Sequence, residues 1–193
     1  KDKEIFTLEE SIKYFNLSAV GKSPSKLDIE RILSINEYYI KNLDEKKLYD
    51  ELKDYSEIYK NKIYNNFEKK LINSIHFLKN KAKKLEDIYQ NAQYIINENI
   101  KVSDEDQKLL DDKAKKVLKN FTTEYENLSK VNKENLEKIE KKLIDEHKTN
   151  FKGVGQPIRV ALTGSKFGPG IYDIIISLGK EEVLKRLGDK ILS

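Results

Sequence analysis

The chain has no cysteine, methionine or tryptophan, and its 193 residues include only eight glycines, three prolines and three arginines. The absence of cysteine excludes disulfides, thiolate metal sites and cysteine nucleophiles, and it is typical of a cytoplasmic protein. No apolar run approaches the roughly 20 residues that cross a bilayer, so we expect no membrane partner. The charged N-terminal sequence KDKEIFTLEE predicts no signal peptide. Because methionine is missing even at position 1, we expect a fragment of a longer chain.

Charged residues make up 36% of the chain and carry little excess of either sign. The 37 basic and 33 acidic residues give a net charge of +4. Such a balance permits binding to a polyanion but does not require it. Nearly all the basic residues are lysine, whose side chain is a flexible point charge. Arginine instead has a planar guanidinium group, which stacks on aromatic rings and donates paired hydrogen bonds. Arg159 is therefore a candidate functional residue.

Helical periodicity and capping residues predict an all-α fold. Thr7 and Glu10 match a capping box, and three further polar residues are suited to begin helices, namely Asp28, Ser103 and Asn132. From residue 43 to residue 100 the chain has no proline or glycine, and apolar residues recur every three or four positions. This pattern predicts several helices with poorly marked joints. A separate short helix is expected around Phe121, Tyr125 and Leu128.

The stretch Gly155–Gly179 differs from the rest because it holds five of the eight glycines and two of the three prolines. Glycine and proline at this density predict tight turns between short elements, and hence a shaped site. A loop-rich helical corner without a ligand is the alternative. The segment at 158–162 fits either a strand or a short helix, whereas 171–178 is predicted as a helix that ends at Gly179.

Motifs for catalysis are missing from this sequence. The segment TGSKFGPG lacks the spacing of a phosphate-binding loop, and there is no nucleophile elbow, no HExxH and no Cys/His zinc set. We therefore expect no catalytic residue, no metal site and no cofactor in this chain. The cluster Lys79, Lys81, Lys83 and Lys84 is either a solvated face or a phosphate contact.

Two pairs of sequence segments carry a resemblance to a known family. GQPIRVALTG and GPGIYDIIISLGKEEVLKRL, near the C-terminus, resemble the C-terminal end of bacterial glutamyl-tRNA synthetases. KSPSKLD and INEYYI, near the N-terminus, resemble the segment that follows the catalytic core of the same enzymes. The resemblance implies a helical stem-contact segment at 1–45 and two α-helical anticodon-binding subdomains at 46–100 and 101–193. The HIGH- and KMSKS-type motifs of the catalytic half do not occur here. ATP and Mg²⁺ would therefore belong to the full-length enzyme, and this part would be inactive alone.

The resemblance also implies roles for individual residues. Arg159 matches an arginine that contacts the first anticodon bases, and Gly168, Pro169 and Ile171 match the loop that packs on those bases. Unstacked bases are the usual targets of sequence-specific RNA recognition, and planar guanidinium groups stack on them. Lys81 occupies the place of an arginine that contacts the third base in some relatives. The remaining lysines of the cluster would contact phosphates, which position the RNA without specifying it.

The partner implied by the resemblance is glutamate tRNA or glutamine tRNA, bound by a monomer. Lysine cannot form the paired hydrogen bonds of arginine, so the choice between these tRNAs stays open at Lys81. One alternative is a paralogous synthetase that charges glutamine tRNA with glutamate. Another is a non-enzymatic helical interaction module, which would require neither pair of motifs.

Overall fold

The computed structural model describes residues 3–21, 26–60, 67–97 and 100–192. Within these ranges the regular structure is entirely helical, which confirms the predicted all-α fold. The residues KSPS of the first N-terminal motif lie outside the described ranges. A 3₁₀ turn spans Leu17–Ala19, and the α-helices are α1 (Leu8–Tyr14), α2 (Ile29–Asn42), α3 (Glu45–Lys60), α4 (Glu68–Leu78), α5 (Leu85–Asn91), α6 (Gln93–Ile96), α7 (Asp104–Gln107), α8 (Asp112–Glu126), α9 (Lys133–Glu146), α10 (Phe151–Thr163), α11 (Ile171–Leu178) and α12 (Lys180–Leu192).

The predicted caps begin the expected helices. Thr7 and Glu10 form a reciprocal capping box at the start of α1. Asp28 accepts a hydrogen bond from the Arg31 N–H at 3.0 Å. Ser103 and Asn132 make the same contact at the starts of α7 and α9. Each side chain accepts a hydrogen bond from the backbone N–H three residues later. Each cap satisfies a backbone N–H that has no partner inside the helix.

The separate short helix expected around Phe121 and Tyr125 is not present, because both residues belong to α8. They extend one buried stripe at three- and four-residue spacing, and no glycine or proline interrupts residues 112–126. Leu128 follows the end of that helix and packs beside the core.

Two members of the glycine- and proline-rich stretch lie inside a helix and not in turns. Gly155 and Pro157 are both buried within α10, so the prediction of tight turns is wrong at these positions. A β-carbon at Gly155 would lie 3.6 Å from Glu140 Oε1, an ordinary van der Waals distance, so the packing of this helix does not require glycine there. The same helix includes 158–162, which excludes the strand alternative. The predicted helix at 171–178 is confirmed as α11, with Gly179 at its end.

One apolar cluster unites the described residues from Ile40 to Leu187. In its C-terminal part α8, α9, α10 and α12 pack together, and in its N-terminal part α3 packs against α4 and α5. The two parts are joined because α11 contacts α4 as well as α10 and α12. The domain boundaries expected near residues 45 and 100 stay predictions. This packing fixes the position of the α10–α11 loop on a helical base.

Candidate nucleic-acid interface

Arg159 lies on α10 and faces the loop that leads into α11. Its guanidinium Nη1 donates a hydrogen bond to the Pro169 carbonyl oxygen. The side chain is half-buried, and this burial lowers the pKa of the guanidinium, which nevertheless stays protonated at neutral pH. Within the described ranges, its other N–H groups have no protein partner. The loop therefore fixes the plane of the guanidinium and leaves donors available to a ligand.

The loop between α10 and α11 begins and turns at two glycines. Gly164 ends α10 with φ 78°, and a β-carbon there would lie 2.4 Å from the Lys101 carbonyl oxygen. Gly168 has φ 142°, and its missing β-carbon would lie 3.9 Å from Arg159 Nη1. Side chains rarely adopt such positive φ angles, so both positions favour glycine. The backbone beside the guanidinium is consequently open to close approach.

Hydrogen bonds at the start of this loop fix its path. The Thr163 hydroxyl lies 2.9 Å from the Arg159 carbonyl oxygen and accepts the Ser165 N–H at 3.3 Å. At the other end, the Ile171 side chain is 4% exposed and belongs to the core. Of the residues predicted to contact bases here, Ile171 therefore has a buried side chain, whereas Arg159, Gly168 and Pro169 lie together on the side of the loop that carries the guanidinium.

Two carboxylates hold the loop from α7, a contact that the sequence analysis did not find. Lys166 Nζ forms ion pairs with Glu105 and, at 3.7 Å, with Asp106 Oδ1. The Lys166 N–H also donates to Asp106 Oδ2 at 3.4 Å. The hydrogen bond to Glu105 raises the pKa of Lys166. About 60 residues separate the partners, so only the tertiary fold could reveal this pairing.

The lysine cluster lies in the turn between α4 and α5. Lys81 is exposed, has φ 66° and makes no ion pair or hydrogen bond within the described ranges. Lys79 Nζ donates to the Leu43 carbonyl oxygen at 3.2 Å, and Lys83 Nζ lies 3.6 Å from Glu30 Oε2. The Lys84 N–H is bound by the carboxylate of Asp87, while its side chain stays exposed.

No hydrogen bond or ion pair joins this turn to the α10–α11 loop among the residues that the structure describes. The turn is instead fixed from α2, because Asn36 Nδ2 donates to the Lys83 carbonyl oxygen at 2.6 Å. Asn36 thus bridges α2 to this turn. The residues predicted to contact tRNA therefore form two groups, one on the α10–α11 loop and one in the α4–α5 turn.

A basic groove of about 560 Å³ opens between α8, the end of α9 and the start of α10. Its walls carry Lys108, Lys113, Lys116 and Lys152, with the carboxylates Asp111 and Glu146 and with His147 and Gln156. Lys152 and Gln156 share one face of α10 with Arg159, because the spacings of four and three residues place them in one row. This groove could not be predicted from the sequence, since its lysines come from separate segments.

No group of three or more His, Cys, Asp or Glu side chains is arranged to hold a metal ion among the described residues. Within the described residues, no helix is both long and apolar enough to cross a membrane.

Comparison with known proteins identifies what this arrangement is similar to. The chain is 60% identical to the glutamate–tRNA ligase of Pelagibacter ubique over 192 residues, which is 100% of this chain and 41% of the relative. It is 32% identical to "glutamate–tRNA ligase 2" of Zymomonas mobilis, over 98% of this chain and 40% of the relative. The chain thus spans about two-fifths of the length of these curated relatives.

The fold is similar to that of a solved structure, a glutamate tRNA ligase from Elizabethkingia meningosepticum in complex with its amino acid. The TM-score is 0.81 at 22% identity, over 99% of this chain and 38% of that one. At this identity the likeness shows the fold alone. A family model described as "Anticodon binding domain" matches residues 46–191. This match covers well over half of the chain, and the chain therefore belongs to the anticodon-binding domain family.

Proposed function

We propose that this chain is the anticodon-recognising, tRNA-binding part of a glutamate–tRNA ligase, which attaches glutamate to its tRNA using ATP. The observation that carries the proposal is the 60% identity to the Pelagibacter ubique ligase, which extends over the whole chain. The catalytic half, with its ATP and Mg²⁺, would lie outside these 193 residues, since the HIGH- and KMSKS-type motifs are absent from them. The proposed location is the cytoplasm, and the proposed state is a monomer.

The α10–α11 loop would contact the first anticodon bases. The guanidinium of Arg159 is held by the Pro169 carbonyl, and its other N–H groups have no protein partner among the described residues. A planar cation of this kind both stacks on a base and donates to its edge. The missing side chain at Gly168 would let a base reach the loop backbone, and Pro169 would pack against it. Ile171 would hold the end of the loop in the core.

The α4–α5 turn would contact the third anticodon base and the RNA backbone. Lys81 is exposed on this turn and has no partner within the described ranges. Its ammonium cannot reproduce the paired hydrogen bonds of an arginine, so we expect weak selection at that base and binding of both glutamate and glutamine tRNAs. Lys79, Lys83 and Lys84 would contact phosphates. In this proposal the segments 1–45, 46–100 and 101–193 are the stem-contact segment and the two anticodon-binding subdomains.

A binding titration tests the proposal. The ligands are a glutamate tRNA transcript and the same transcript with each anticodon base changed in turn. The proteins are the wild-type chain, Arg159→Ala and the control Lys138→Ala, which removes an exposed cation paired with Glu134 on α9. We expect each change of a base contacted by the α10–α11 loop, and Arg159→Ala, to cost about 1–3 kcal/mol. The Lys138→Ala control should bind the transcript like the wild type.

Binding that is indifferent to the anticodon and abolished by modest salt would contradict the proposal, because only general phosphate attraction would then remain. Repeating the titration with the full-length ligase would show whether recognition requires the catalytic half. A glutamine tRNA transcript supplies the test at Lys81, since equal affinity for both tRNAs is expected there.

A further inference from the structure

Phe167 is an exposed aromatic residue in the α10–α11 loop, immediately before Gly168. Its relative exposure is 74%, the highest of any phenylalanine in the described residues. A single exposed apolar side chain is common on protein surfaces and has no meaning by itself. Phe167 differs from such a residue in how its backbone is held and in what lies beside its ring.

Two contacts within its own loop hold the backbone of Phe167 and cover one face of its ring. The Phe167 N–H donates to the Ser165 hydroxyl at 3.1 Å. Lys166 Nζ lies 5.4 Å from the centre of the Phe167 ring, within the range of a cation–π contact. Lys166 is itself held by Glu105 and Asp106 from α7. The aromatic ring therefore has a cation over one face, while the opposite face has no ring contact within the described ranges.

The charges around the ring favour an uncharged planar ligand. Glu105 and Asp106 compensate the ammonium of Lys166, so this side of the loop does not offer a free cation to phosphate. The same carboxylates would repel an acidic peptide. On the other side of Gly168, the Arg159 guanidinium presents a second planar group. Two planar groups beside an open backbone suit a flat ring that carries hydrogen-bonding edges, which is the chemistry of a nucleobase.

We infer that Phe167 is a stacking platform for one unpaired RNA base next to the base contacted by Arg159. This inference rests on the proposed function, and it adds a contact that the resemblance does not assign. Base–aromatic stacking tolerates any base, because every base has a π-face. Phe167 would therefore add affinity without selecting a sequence, whereas Arg159 selects the base that it contacts.

Affinity measurements on the 193-residue chain test this inference, with a glutamate tRNA transcript as the probe. We expect Phe167→Ala to weaken binding about 5- to 150-fold, the equivalent of 1–3 kcal/mol for one stacked base. Phe167→Tyr keeps the ring and should bind within about twofold of the wild type. Phe167→Leu keeps an apolar side chain without a π-face and should lose most of the affinity that Phe167→Ala loses.

Phe151 supplies the matched control. It is also an exposed phenylalanine, at 56%, but it begins α10 and thus lies about 18 Å from the helix end that carries the loop. Phe151→Ala should leave the affinity unchanged. Transcripts that carry 2-aminopurine at one anticodon-loop position at a time then locate the stacked base. Phe167→Ala should abolish the fluorescence change on binding at one position and keep the others.

The outcomes separate this inference from the proposed function. If Arg159→Ala weakens binding while Phe167→Ala does not, the stacking role is wrong and anticodon recognition stands. If Phe167→Leu binds as tightly as Phe167→Tyr, the contact is apolar packing and the inference is again overturned. If the wild-type chain shows no dependence on the anticodon, the proposed function and the stacking inference both fail.

Discussion

Arg186 offers the sharpest test of how the two parts of the core are held together. It lies on α12 and is 8% exposed. Its Nη1 donates to the Tyr94 carbonyl oxygen at 3.0 Å and to the Leu162 carbonyl oxygen at 2.7 Å. Its Nε donates to Glu182 Oε1 at 2.6 Å on the same helix. One guanidinium thus links α6, α10 and α12.

Replacing Arg186 with methionine keeps the apolar stem and removes all three hydrogen bonds. The Leu162 carbonyl belongs to the last turn of α10, where carbonyls have no partner inside the helix. Each buried acceptor left without a donor costs about 1–3 kcal/mol, whereas Glu182 is partly exposed and can be solvated by water. Two such carbonyls give an expected loss of about 2–6 kcal/mol in the free energy of unfolding.

Urea denaturation followed by far-UV circular dichroism measures this loss. The control is Lys185→Met, a change of the same kind at the exposed neighbouring position on α12, which should change stability by less than about 0.5 kcal/mol. Arg186→Lys keeps the charge but not the planar fork, so it should fall between the wild type and Arg186→Met. A loss below about 1 kcal/mol for Arg186→Met would refute the reasoning, since the two carbonyls would then be satisfied without the guanidinium.

Two further predictions concern single contacts elsewhere in the chain. Gly164→Ala places a β-carbon 2.4 Å from the Lys101 carbonyl oxygen at φ 78°, so we expect thermal denaturation to show a loss of about 2 kcal/mol or more. Gly188→Ala, where a β-carbon meets nothing within 4 Å, should instead stabilise α12, and equal melting of both variants would contradict the argument. The pKa of Glu86 is lowered from 4.5 to about 2 by hydrogen bonds from Tyr55 first, then Gln90 and Lys60. Its folded pKa is depressed, so its stabilisation is present above pH 4.5 and lost as the pH falls towards 2. Glu86→Gln should flatten the fall of unfolding free energy in that window, and an unchanged slope would count against the contact.

Local features of the fold could be predicted from the sequence because their causes are local. The capping residues Thr7, Asp28, Ser103 and Asn132 begin helices through contacts three residues away. Gly179 ends α11 because a positive φ angle suits a residue without a side chain. Such signals depend on neighbours in the chain and need no knowledge of tertiary packing.

The errors arose where packing decides. Pro157 lacks the backbone N–H that an interior helical position normally donates, and for that reason proline predicts a turn. Burial of Val154, Ile158 and Leu162 on the same helix outweighs that loss, so α10 continues through the proline. Local propensity is a weak guide at such a position because tertiary contacts override it.

The candidate site also combines features that could be predicted from the sequence with features that depend on the tertiary fold. The resemblance indicated Arg159, Gly168 and Pro169, and the structure places them together because the loop returns its own carbonyl to the guanidinium. The clamp by Glu105 and Asp106 could not be predicted, because it joins α7 to a loop about 60 residues later in the chain. Phe167 was visible in the sequence, but only its exposure and its fixed backbone distinguish it from a core aromatic.

Stability and recognition share one structural element in this chain. Arg186 binds the carbonyl of Leu162, and the next residue, Thr163, has the hydroxyl that fixes the start of the loop. A change at Arg186 should therefore release the end of α10 and disturb Arg159, which lies four residues before Thr163. Weaker tRNA binding can thus arise with or without a loss of stability, and Arg186→Met would lower both stability and affinity. Arg159→Ala and Phe167→Ala, whose side chains are not part of the core, should lower affinity with little change in unfolding.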